Sequence, residues 1–388
     1  MHALARTPAV VVALVLAAGA AATPIRAAPA PPLWDHVGYD AEDSWSNPRE
    51  SAITADTVRR LVRKWSVPLR SAETCSSFSG PIVAGGRVFV GDLAGITAYD
   101  AATGTRRWSH DWNGAIEGGT PRMAVAGGLL VVGYNDCMSV SDPNPVLVAL
   151  DVRSGLLRWS ASSPLVGTMI VDKGAVLVSG TDVSGDSETV TYRVSDGREL
   201  WKAPGRRVGG SSANGVVAGF AAGGSKSFDI VTGAVRWSTR LHLRTEAANP
   251  AGDVFYGADD RERLVAVNVG TGAVRWTAPG PTELIAADGN RLYRSDGEAI
   301  TALDARTGKQ VWRRDLPRYG GQPVVAGGVV YAGGIALDAA RGTVITGTLP
   351  LGGELIVTGG VLYQSHEGSL TAYAVTGSGR SAGRTGRR

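Results

Sequence analysis

Sulfur and imidazole are scarce in this chain: 388 residues hold 2 Cys, 4 Met and 5 His. The histidines (2, 36, 110, 242 and 366) are scattered, with no H-E-x-x-H pair and no metal-like spacing, so a zinc centre of the usual kind is excluded. A G-x-S-x-G nucleophile elbow and a P-loop are also missing. Charge is sparse, at 19% of residues against roughly a quarter in ordinary domains. No apolar run after the N-terminus approaches the roughly 20 residues a bilayer-spanning helix needs, so no transmembrane segment is expected. What is abundant is glycine, 53 residues in all, beside 44% hydrophobic residues. That profile suits short strands joined by many tight turns; helical bundles, coiled coils and disordered chains fit it poorly.

The formal charge of +4 says little about the folded part. Residues 377–388 contain four Arg (380, 384, 387 and 388) and no acid; without them 35 basic residues face 35 acidic ones. The excess belongs to a Gly/Ser/Arg tail with little apolar surface to bury, expected to be disordered, and no nucleic-acid partner is expected. At the other end, His2 and Arg6 precede an apolar run, Ala9–Ala18, followed by small-residue cleavage options. This is the pattern of a secretory signal. Residues 1–22 are therefore assigned to a signal peptide, 23–45 to a flexible lead-in, 46–376 to the folded domain and 377–388 to the tail. The mature protein is expected to be secreted, where a disulfide between Cys75 and Cys137 is the default.

One phrase recurs through the domain: a short strand ending in an acid or Asn, a Gly four residues later, and a Trp four after that. It reads Asp100…Gly104…Trp108, Asp151…Gly155…Trp159, Asp229…Gly233…Trp237, Asn268…Gly272…Trp276 and Asp304…Gly308…Trp312. A weaker copy has Arg193, Gly197 and Trp201; another keeps Asp338 and Gly342 but has Thr346 in place of Trp. Each is preceded by an apolar hairpin around a glycine turn, as in Ile82–Gly91. Four antiparallel strands per unit of about 40 residues is the signature of a propeller blade. Hairpin turns at Gly86, Gly128, Gly174, Gly215, Gly252, Gly289, Gly328 and Gly360 count eight units. The eighth lacks its Trp strand, and Val62–Val67 around Trp65 is a Trp strand without a blade. Pairing the two closes the ring and hides both sheet edges. The expected fold is an all-β, eight-bladed propeller, monomeric, sealed by its N-terminal strand.

The phrase A-x-D-x-x-T-G-x-x-x-W resembles the tryptophan-docking repeat of the quinoprotein alcohol dehydrogenase-like, or PQQ-like, propellers, over roughly Trp34 to Val375. The lead-in Ser46-Asn47-Pro48-x-Glu50-Ser51-x-Ile53-Thr54 is similar to theirs as well, with Thr54 expected to cap a short helix whose Ile53, Val58, Leu61 and Val62 rest on the rim. For the dehydrogenases the resemblance implies a PQQ cofactor beneath a disulfide of adjacent cysteines, with Ca²⁺ and a catalytic Asp. Here the two cysteines are 62 residues apart. No cofactor is expected, with PQQ and Ca²⁺ as the alternative.

The repeated Trp65, Trp108, Trp159, Trp201, Trp237, Trp276 and Trp312 are read as wedges between blades rather than stacking platforms, whereas Trp34, Trp45 and Trp112 fall outside the repeat and are freer to make surface contacts. Six residues before the last Gly of each first hairpin stand Gly80, Arg122, Thr168, Gly209, Glu246, Glu283, Gln322 and Glu354. In a propeller these positions approach the channel mouth. Arg122, Glu246, Glu283, Gln322 and Glu354 are thus candidates for a ligand or Ca²⁺, the plainer reading being a wet channel in which Arg122 and solvent balance the acids. Cys75 and Cys137 fall on loops of one face in neighbouring blades, consistent with a disulfide. The function these features suggest is a binding or scaffold module at the cell surface, holding a protein, polymer or small ligand on its loop face, with a PQQ- and Ca²⁺-dependent oxidoreductase as the rival.

Overall fold

Glycine pairs and aspartate turns alternate along the chain, and each kind folds its neighbours into antiparallel strands. In blade 1 the strands Ile82–Ala84 and Arg87–Asp92 meet across Gly85 and Gly86, whose φ values of 55° and 74° suit a two-residue hairpin that other residues resist. The next strand, Gly95–Asp100, ends in the second kind of turn. There Asp100 accepts hydrogen bonds from the Ala102 and Thr103 amides and the Thr103 hydroxyl, and pairs with Arg107 at 2.6 Å. The Arg107 contact leads in holding the Asp100 carboxyl down at about 2. The outer strand Arg106–Asp111 follows, and the pattern repeats at Asp151 and Asp229.

The structure, a computed structural model, describes residues 34–376 except 74–75, 113–118, 137–143, 183, 281–283 and 348–351. The expected signal peptide and basic tail, and Cys75, Cys137 and Glu283, lie outside the described residues. Eight sheets are formed. Their inner strands are 82–84, 122–126, 168–172, 207–213, 244–248, 284–287, 324–326 and 354–358; the first seven are each followed by three further antiparallel strands and the last by two. Blade 8 takes its outer strand from the far end of the chain: Leu61–Pro68 runs antiparallel to Ser369–Val375, with Leu61 opposite Val375 and Trp65 opposite Ala372. The expected closure is the one found. Among the described residues no helix is long and apolar enough to cross a membrane.

The tryptophans join one blade to the next. On typical outer strands such as Leu157–Ala161, two exposed residues precede the buried Trp. Each indole N–H donates to the carbonyl one residue past the turn residue (Asp, or Arg193 and Asn268 in two blades) of the following blade: Trp65 to Ala101, Trp108 to Val152, Trp159 to Val194, Trp201 to Ile230, Trp237 to Val269, Trp276 to Ala305 and Trp312 to Ala339, at 2.8–3.3 Å. The turn glycine lies flat on the same ring, so a Cβ on Gly155 would sit 2.6 Å from Trp108. This explains why Trp and Gly travel together in the repeat. The junction from blade 7 to blade 8 is built differently. Thr346 stands where Trp would be, the third strand of blade 8 has no aspartate turn, and a single 3-10 turn, Val58–Arg60, packs there with Arg59 donating to the Ile345 carbonyl. That turn starts after Thr57, without a side-chain cap, and Thr54 contributes its carbonyl to the Val58 amide instead of capping it. Ile53 and Val58 are buried as expected, whereas Val62 is exposed.

The largest departure from expectation concerns the lead-in. From Trp34 onward it is not a flexible arm but a strap that crosses the channel and touches all eight inner strands in turn. Trp34 exchanges backbone hydrogen bonds with Val83; the Asp35, Ala41, Glu42, Ser44 and Trp45 carbonyls accept from the amides of Val125, Ser212, Ala248, Ala287 and Val325. His36 reaches the Val171 carbonyl, and the Asn47 side chain that of Val357. Ser46–Asn47 also pairs in parallel with blade 7. Inner strands facing an open channel leave backbone groups to water; the strap satisfies one on every blade. Trp34, expected to be free for surface contacts, is fully buried, and Trp45 and Trp112 are half-buried.

Candidate functional site

Because the strap meets each inner strand about three residues before its hairpin, it floors the channel at the hairpin side. The space above it, about 10 Å deep at 3.3 Å per strand residue, is a blind cup of about 520 Å³. Its floor is His36–Gly38, Asp40, Ala41, Asp43 and Trp45, and its wall includes Arg122, Thr168, Arg207, Gly209, Gly210, Arg244, Glu246 and Gln322. Of the sequence-selected positions, Arg122, Thr168, Gly209, Glu246 and Gln322 line this cup. Among the described residues, these positions do not gather as a cation site. Glu246 is held by Arg244 at 2.9 Å, and Gln322 spends its amide on the Ile285 and Pro323 carbonyls. Glu354 lies in a second cavity of about 290 Å³, bounded by Trp45 and Gln322, with Gly80 packed against it. Gly209 is a close-packing position: a Cβ there would meet the Thr245 carbonyl oxygen of the next blade at 2.3 Å. Among the described residues no three His, Cys, Asp or Glu side chains converge to hold a metal ion.

The chemistry concentrates in the strap, which the repeat-based selection passed over. Residues 34–43 contain four acids and a histidine in an otherwise charge-poor chain, and that density was the available signal. His36 has Asp35 at 2.7 Å on Nδ1 and the Val171 carbonyl at 2.7 Å on Nε2. Two acceptors on one ring favour the doubly protonated form; burial opposes that charge, and the Asp35 and Val171 contacts outweigh it, raising the pKa. Burial pushes Asp40 up to about 6, despite the Ser44 amide it accepts from. It pushes Glu42 and Asp43 to about 7, Asp40 adding to both shifts, with Arg122 partly offsetting that of Asp43. Tyr39, Asp43 and Trp45 hold left-handed φ values of 85°, 51° and 51°, a strained backbone of the sort that clusters at functional sites. Gly38 lies directly beneath Asp43, where a Cβ would fall 1.6 Å from Oδ1.

These groups give the strap a pH dependence with a definite sign. An acid whose pKa is raised on folding stabilises the fold below its ordinary value near 4 and loses that contribution as pH rises through the folded value. Asp40, Glu42 and Asp43 therefore lose theirs towards pH 6–7, and His36 loses its own as pH climbs above its ordinary value. The rim aspartates such as Asp100 titrate far below this window. Melting temperature is expected to fall by several degrees between pH 5 and pH 8, with a shallower slope in Asp43→Asn. A melting temperature that rises across this range, or an unchanged slope in the variant, contradicts this reading.

Residues 62–138, 92–257 and 260–346 match the family model described as outer membrane protein assembly factor BamB. Among solved structures, the quinohemoprotein alcohol dehydrogenase of Comamonas testosteroni superposes with a TM-score of 0.64 at 14% identity, covering 90% of this chain and 81% of that one. BamB from Moraxella catarrhalis gives 0.58 at 18% identity, covering 81% and 98%. The computationally designed protein Ika8 gives 0.60 at 14%, covering 81% and 100%. At these identities the likeness is one of fold alone. No curated protein matches the chain by sequence.

Proposed function

This chain belongs to the PQQ-like propeller family described as outer membrane protein assembly factor BamB, and from that premise we propose that it is a secreted, non-catalytic binding module of the cell surface whose ligand enters the blind cup. The observation that carries this reading is the strap. The chain closes its own channel at one end, leaving a concave, charged recess of a size suited to a small molecule or a chain terminus. A family whose description names an assembly factor is in keeping with a binding role.

The rival reading, a PQQ- and Ca²⁺-dependent oxidoreductase, has less in its favour. The residues do not fit that group: the cysteines are not adjacent in sequence, Glu246 and Glu354 occupy different cavities, and the described acids do not gather into a cation-binding set. A thermal-shift panel of amino acids, short peptides, sugars and polyols separates the two. At least one ligand is expected to stabilise the wild type and to lose its effect in Thr168→Trp, which fills the cup. Dye reduction with alcohols or sugars in the presence of PQQ and Ca²⁺ is expected to stay at background. Turnover in that assay overturns the binding reading.

A further inference from the structure

Among the charges that line the cup, the ones without partners have opposite signs and stand at different depths. Arg122 and Arg207 stand on the walls at the start of the inner strands of blades 2 and 4, and among the described residues neither forms an ion pair. Arg244, by contrast, is committed to Glu246 and Glu262. On the floor, Asp40 is capped by the Ser44 amide, while no hydrogen-bond donor or ion-pair partner among the described residues reaches the Asp43 carboxylate. Arg122 influences Asp43 through space without pairing with it. A Cβ on Gly210 would stand 3.6 Å from Asp43 Oδ2 and 3.3 Å from the Glu246 carbonyl oxygen, so the glycine leaves the carboxylate uncovered on that side.

An unpaired carboxylate in a recess is costly unless a proton or a group of opposite charge joins it. The left-handed backbone at Asp43 and the bare Gly38 beneath it hold the group in place at a further cost in strain. A purely anionic ligand satisfies the two arginines and is repelled by Asp43. A purely cationic one leaves the arginines unanswered.

We propose that the cup recognises a small zwitterion, from an amino acid to a tripeptide in size, whose ammonium is taken by Asp43 at the floor and whose carboxylate is taken by Arg122 and Arg207 on the walls. The Thr168 hydroxyl, on blade 3 between the two arginine-bearing blades, is placed to add a hydrogen bond to the same carboxylate. This inference rests on the reading of the cup as a ligand site and names the chemistry of its ligand.

The test blocks each end of the ligand in turn and leaves the protein intact. Calorimetric titration of the wild type with trialanine, N-acetyl-trialanine and trialanine amide is expected to show binding of the first and at least tenfold weakening of each blocked form. In Asp43→Asn the penalty for acetylation should vanish, and in Arg122→Gln the penalty for amidation should shrink. Equal binding of all three peptides by the wild type overturns the proposal, as does preference for a ligand of one charge sign. If the panel above yields a Thr168→Trp-sensitive ligand that is not a zwitterion, this inference falls and the cup reading stands. If no panel ligand behaves so, the cup reading falls first.

Discussion

Trp34→Ala is expected to destabilise the protein by about 3–5 kcal/mol, the range for deleting a buried tryptophan side chain, seen as a melting temperature lower by roughly 5–10 °C. Trp34 is fully buried, meets Tyr39 edge-on at 5.1 Å, donates its indole N–H to the Val37 carbonyl and pairs through its backbone with Val83. It is the first anchor of the strap, so its loss acts on more than its own cavity. The segment that carries Asp43 loses its fixed point, and ligand binding in the cup should weaken together with stability. Trp34→Phe keeps most of the packing and should recover most of both. A melting temperature within one degree of wild type in Trp34→Ala would show that the strap does not brace the ring.

Gly155→Val is expected to cost about 3 kcal/mol or more, combining overpacking with a left-handed backbone that a β-branched residue resists. At φ +73° the new Cβ would press on Trp108 at 2.6 Å and displace the indole whose N–H holds the Val152 carbonyl. Gly289→Ala is the matched control: nothing lies within 4 Å of a Cβ there and its backbone is not left-handed. A change below about 0.5 kcal/mol is expected for it, as for surface sites away from special features. Similar losses from both substitutions, measured by denaturant unfolding, would remove the docking argument.

Both predictions bear on how much of the molecule its sequence discloses. The blades were legible because most repeat one physical solution: a glycine hairpin, an aspartate turn, and a tryptophan lying on the glycine of the next unit. Closure was legible by elimination, since Trp65 had a strand without a blade and Tyr373 a blade without its last strand. The strap has no copy elsewhere in the chain to be compared with. Its hold on the ring runs largely through backbone amides and carbonyls, which leave no trace in residue identity; the contact of Asn47 with Val357 spans 310 positions. Positions counted from the hairpins did find the wall of the cup in Arg122, Thr168, Glu246 and Gln322. They missed its floor, and they grouped Glu354 with Glu246 although Trp45 and Gln322 stand between the two cavities. The structural role of Gly209 was hidden for the same reason: the Thr245 backbone that excludes a side chain there belongs to another blade.

Blade 8 joins residues 61–68 to residues 369–375, and this has a kinetic corollary. In seven blades the four antiparallel strands are adjacent in sequence, while the eighth waits for two stretches more than 300 positions apart to meet. Non-local pairings of this kind are slow, and the interval leaves two bare edges available to other chains. Recovery from denaturant should therefore depend on how dilute the protein is during that final latching step, far more than on how quickly any single blade takes shape.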